Sequence, residues 1–109
     1  MATTYKVLGQ VNPSATTATT LYTVPAATQA VVSTIAVCNQ AGTSATYRIA
    51  VRVAGSALSA EEYIVYGATV AASDSILLTL GLTLGATDVI TVYASSANLS
   101  FNAFGSEIA

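Results

Sequence analysis

From Ala45 to Val53 the side chains alternate without a break. Tyr47, Ile49, Val51 and Val53 fall on one side of an extended chain, and Thr46, Arg48, Ala50 and Arg52 fall on the other. A period of two is the mark of a strand with one face against a core and one toward water. A helix would scatter the same residues around its circumference. The first row is therefore expected in the core, and the second carries two of the three cations to solvent or to a partner. The bias extends along the whole chain: Thr, Val, Tyr and Ile fill the periodic segments, while the surface-helix formers Lys, Glu and Arg are nearly absent.

Turn residues divide the rest into short extended segments. The predicted strands are Tyr5 to Val11, Leu21 to Val24, Gln29 to Asn39, Ala45 to Val53, Glu61 to Tyr66, Ser75 to Leu80, Asp88 to Ala94 and Asn98 to Phe104. The third is small or apolar on both faces, which places it centrally. A symmetric turn about Ala57 makes the fourth and fifth a hairpin and sets Arg52 opposite Glu62. Such a cross-strand ion pair contributes up to about 1 kcal/mol and would serve to set register. The turn Ser95-Ser96-Ala97-Asn98 predicts a second hairpin from the last two strands, with Ile90, Val92, Leu99 and Phe101 facing the core. The expected fold is all-β, a single antiparallel β-sandwich of seven or eight strands over residues 1–109, jelly-roll-like or Ig-like. Residues 1–11, a strand pattern ahead of a Thr/Ala-rich stretch, are expected to act as an arm or strand pairing with a neighbour.

Composition then limits what such a sandwich does. Only 7% of the residues are charged and 53% are hydrophobic, with no histidine. The surface must be built from Thr, Ser, Ala, Asn and Gln, and few ionic heads lose water when another protein covers it. That favours assembly over life as a free monomer. A net charge of −2 and three scattered cations argue against a nucleic-acid partner. No apolar run approaches a membrane-spanning length. The opening Met1-Ala2-Thr3-Thr4-Tyr5 has neither a basic nor an apolar export region, so synthesis in a cytoplasm is expected.

Catalysis is poorly provided for. Without histidine no Ser or Thr has a base, and the lone Cys38, in an apolar run, reads as a buried core thiol with no activating neighbour. Glu61 and Glu62 are adjacent in a strand and point apart, while Asp74 and Asp88 stand at strand starts as turn residues. No zinc, calcium or phosphate motif is present, so no metal, no cofactor and no enzyme activity are expected. The tyrosines Tyr5, Tyr22, Tyr47, Tyr63, Tyr66 and Tyr93 suit a core or a protein interface, with a carbohydrate-binding face as a further class. Tyr63-Ile64-Val65-Tyr66 is apolar on both faces and must be a central strand or a covered edge. With Tyr5 and Val7 of the first strand, these residues are the expected subunit contacts.

Several segments resemble a recurrent small protein of tailed bacteriophages. They are Lys6-Val7-Leu8-Gly9-Gln10, Leu21-Tyr22-Thr23-Val24-Pro25-Ala26, Ala30 to Asn39, Leu80-Gly81-Leu82-Thr83-Leu84, Asp88 to Ala94 and Leu99 to Ile108. The resemblance spans nearly the whole chain in order and rests on sandwich patterns with no catalytic signature. It implies a virion structural protein of head or tail. The leading expectation is a capsid decoration or cement protein, homotrimeric or dimeric, bound to the major capsid protein or other virion proteins. The alternative is a tail, baseplate or fibre component.

Overall fold

The computed structural model describes residues 2–109 of the chain. Eight strands follow one another: β1 (Thr3–Val11), β2 (Thr19–Thr23), β3 (Gln29–Asn39), β4 (Ala45–Arg52), β5 (Tyr63–Val70), β6 (Ser75–Leu84), β7 (Val89–Ala94) and β8 (Leu99–Ile108). They form two four-stranded antiparallel sheets, one in the order β1-β8-β3-β6 and the other β2-β7-β4-β5. The pairs β1·β8, β2·β7, β3·β6 and β4·β5 are those of one long hairpin folded at the β4–β5 loop. The further pairings β3·β8 and β4·β7 roll that hairpin up. This is jelly-roll order, and it decides between the two sandwich types left open by the sequence.

Apart from β4 and β5, which pair as the expected hairpin, consecutive strands lie in opposite sheets, so the expected β7–β8 hairpin does not form. The Ser95–Asn98 turn crosses between sheets instead, anchored by the Ser95 amide, which donates to Thr46 (2.9 Å). The first strand is likewise no free arm. It lies along β8 of its own chain, and Ala2 and Ala109 exchange backbone hydrogen bonds of 2.8 and 3.0 Å. Asn12 closes the other end of β1 by donating to the carbonyls of Ala97 (2.9 Å) and Leu99 (2.6 Å).

The core lies between the sheets. Val32, Ile35, Val37, Leu99 and Phe101 come from one side, and Tyr47, Ile49, Ile90, Val92 and Val70 from the other. Tyr47 and Phe101 meet edge to face across the gap, 6.2 Å between ring centres. Asn39 is the buried polar residue at one end of the core. Its side-chain amide donates to the carbonyls of Thr43, Val70 and Ala71, and its oxygen accepts from Ala41, so two loops and the end of β3 share one hub.

A bulge at Ser33 alters the inward row of β3. Ala30 and Val32 point inward before it, and Ile35, Val37 and Asn39 after it. Cys38, expected in the core, is therefore half-buried on the outer face. The Ser33 hydroxyl donates to the Phe104 carbonyl (3.1 Å). Where β3 bulges, the Val31 carbonyl crowds β8: a Cβ on Gly105 would lie 1.9 Å from it. No other residue fits there. The inward row of β4 also ends one residue early, because Val53 opens a 3-10 turn (Val53–Gly55) and is 66% exposed instead of buried.

Gly105→Ala is expected to cost about 3 kcal/mol, the upper range for overpacking. The urea midpoint should fall with little change in slope. A midpoint within error of the parent would show that the β3 bulge yields freely.

Candidate functional site

The two outer sheet faces differ in chemistry. On the β1-β8-β3-β6 sheet the register places Val7, Phe104, Thr34 and Thr79 in one row and Gln10, Asn102, Ala36 and Leu77 in the next. Tyr5 extends this face opposite Ser106. None of these residues is ionic. Tyr5 is 84% exposed and Leu77 70%, and Val7 and Phe104 are also open. Of the contacts expected from sequence, Tyr5 and Val7 thus stand on a broad uncharged face. Leu77 and Phe104 join them only because β6 and β8 share their sheet.

On the other sheet, β5 is an edge strand with two extra residues. Its register runs Ala50↔Tyr63, Ile49↔Val65, Arg48↔Tyr66 and Tyr47↔Ala68, which leaves Ile64 and Gly67 as bulges. Residues three apart in a regular strand face opposite ways. The bulge at Ile64 instead puts Tyr63 and Tyr66 on one outer face, their rings edge to face at 4.9 Å. Gly67 has φ +77, a conformation that suits glycine, and the bulge there returns Ala68 to the inner side. Val65 packs against the core and Ile64 is exposed at the bulge. The four expected contact residues therefore do not act as one patch.

Tyr66 on β5 and Tyr93 on β7 are both register partners of Arg48 on the strand between them. The result is a guanidinium between two rings, 4.2 Å from the Tyr66 centre and 4.3 Å from that of Tyr93. Below it Ala50 and Thr91 are buried although they face outward. Tyr63 stands beside Ala50, and Arg52 bonds to Thr91 (3.3 Å). Arg48 was legible in the sequence as outward-facing, but its pairing with Tyr93 required the sheet order.

Arg52 and Glu62 do not pair with each other; the loop between them intervenes. Arg52 donates to the carbonyls of Ser56 (2.7 Å) and Gly55 (3.0 Å). Glu62 accepts from the Ser56 hydroxyl (2.6 Å) and from the Ser59 amide (2.9 Å), capping the 3-10 turn Ala60–Glu62. Ser56 is the shared partner, and the two charges clamp the apex of the folded hairpin from opposite ends.

Between the sheets, Glu107 accepts from the Tyr22 hydroxyl (2.5 Å) and pairs with Lys6 (2.9 Å). The Tyr22 bond first, then Lys6, hold its carboxyl below the ordinary 4.5. Burial first, then Glu107, push the Tyr22 phenol well above its ordinary 10.0. This cluster joins β1, β2 and β8 and is fully occupied by its own members. Among the described residues no group of three His, Cys, Asp or Glu side chains could hold a metal ion. No protein-family model matches the chain, and no curated protein matches it.

Arg52→Gln is expected to lower stability by about 1–2 kcal/mol, because charged hydrogen bonds are lost at a partly screened site. Its coupling to Glu62→Gln should not change between low and high salt. A salt-sensitive coupling in a double-mutant cycle would mean that the two charges meet directly. The folded-state value of Glu107 is depressed, so its contribution is complete above pH 4.5 and is lost as pH falls through that folded value. That of Tyr22 is raised, so its contribution is complete below pH 10.0 and is lost as pH rises through the folded value. Urea midpoints against pH should show a flatter acid limb for Glu107→Gln and a flatter alkaline limb for Tyr22→Phe. Limbs parallel to the parent would dismiss this cluster as a source of pH dependence.

Proposed function

We propose that this chain is a non-enzymatic structural subunit of a tailed-phage particle, a decoration protein that binds the assembled shell and stabilises it. The observation that carries the reading is the outer face of the β1-β8-β3-β6 sheet, which exposes Tyr5, Val7, Leu77 and Phe104 and has no ionic group among its rows. These apolar side chains are interspersed with Thr34, Thr79, Gln10 and Asn102, a wide face without charge that another protein covers at little desolvation cost. Copies of one chain meet there without like-charge repulsion, which suits a homo-oligomer, a trimer in the first instance and otherwise a dimer. Many weak contacts repeated over a lattice then gain from multivalency. The resemblance of the segments to small phage proteins supports the same reading. Jelly rolls serve viral capsids and lectins alike, so the fold adds only compatibility.

Sedimentation of the purified protein with tail-less capsids, and separately with isolated tails, tests this. Saturable binding to capsids alone is expected, and Leu77→Glu should both weaken it and reduce the oligomer in sedimentation velocity. Binding to tails alone would replace decoration by a tail or fibre role. Binding to neither would end the virion reading.

A further inference from the structure

The chain carries five acidic and three basic side chains, and nearly all are engaged inside it. Asp74 accepts from the Ser75 amide (2.8 Å), and Asp88 from the amides of Ala54 (2.8 Å) and Gly85 (2.9 Å). Glu62 holds the hairpin apex, and Glu107 is bonded to Tyr22 and Lys6. Glu61 is exposed, although its own backbone amide first and Ser59 second hold its carboxyl below the ordinary value. Among the cations, Lys6 is paired and Arg52 donates to three acceptors. Arg48 differs. It makes no hydrogen bond and no ion pair among the described residues, and its contacts are the ring faces of Tyr66 and Tyr93.

This is the arrangement of a receptor, not of a brace. Rings on two sides shield the guanidinium from water and restrain it, and no acceptor within the chain takes its N–H groups. That fork matches a carboxylate in bidentate geometry, and prior ordering reduces the entropy lost on binding. A second copy of this chain offers few such anions, since all of its acidic side chains except the exposed Glu61 would first have to leave a bond described above. Tyr and Arg are the residue types that dominate protein–protein binding energy. Each ring also already has one face against Arg48, which reduces the stacking surface open to a sugar. We infer that Arg48, seated between Tyr66 and Tyr93, is a binding site for an Asp or Glu side chain of a different protein.

The test is a titration of the isotope-labelled protein with the capped peptide acetyl-Gly-Glu-Gly-amide, following the Arg48 Nε–H and the Tyr66 and Tyr93 ring signals. Acetyl-Gly-Gln-Gly-amide and glucuronate are titrated alongside. Saturable shifts confined to these three residues are expected, with the Glu peptide at least about tenfold tighter than its Gln counterpart, as for loss of one charge-assisted pair. Arg48→Gln should abolish the response, and Arg48→Lys, which keeps charge but loses the fork, should weaken it severalfold. An unchanged amide spectrum away from the site shows that the variants are folded. Equal response to the Glu and Gln peptides, or shifts spread equally over Lys6 and Arg52, would overturn the inference. Glucuronate binding tighter than the Glu peptide would overturn the protein partner in favour of an acidic sugar. Because no particle is involved, failure here is distinct from failure of the decoration reading.

Discussion

The two sheets are held together by one buried apolar layer, within which Tyr47 and Phe101 meet edge to face, 6.2 Å between ring centres. Both residues stand on interior strands: β8 lies between β1 and β3, and β4 lies between β7 and β5. The strands flanking them bring Ile35, Val37, Ile90 and Val92 into the same gap. Burial of this apolar layer is the main favourable term in a sandwich of this size. The bulge in β3 serves it directly, by turning Ile35 and Val37 inward where a regular strand would have continued with Thr34 and Ala36. That choice also turns Thr34, Ala36 and the half-buried Cys38 to the outer face of this sheet.

A protein with so few charges must place each one with care. Here the acids work as turn and cap residues: Asp88 bonds to Ala54 and Gly85, Glu62 to Ser56 and Ser59, and Asp74 to Ser75. This holds the connections of a long-range fold whose strands pair mostly with distant partners. It also leaves one sheet face with no ionic group in its rows and the other with a single unengaged cation between tyrosines. The proposed contact between like copies uses the first, and the proposed recognition of an acid on an unlike partner uses the second. The two faces lie on opposite sides of one thin slab of 45 × 27 × 19 Å, so both can be occupied together.

Much of this fold was legible from local pattern. Strand β3 runs from Gln29 to Asn39 as expected, β4 from Ala45 to Arg52, and β7 from Val89 to Ala94. The inward placement of Tyr47, Ile49, Ile90, Val92, Leu99 and Phe101 was read from alternation alone. Two expectations differ from the structure for one reason: a β7–β8 hairpin across Ser95–Asn98 and an Arg52–Glu62 pair both assume that neighbours in sequence are neighbours in space.

The sequence by itself determined the all-β class, the approximate strand positions, with β5, β6 and β8 running past their expected ends, and, away from the bulges, which side chains share a face. These depend on backbone sterics and on a two-residue period, both of which are local. Only the tertiary structure decided which strands lie side by side, where Ser33, Ile64 and Gly67 interrupt the period, and that Arg48 sits between Tyr66 and Tyr93. Those outcomes rest on hydrogen bonds and close packing between segments far apart in the chain. The alternation within a segment carries no record of which partner it meets.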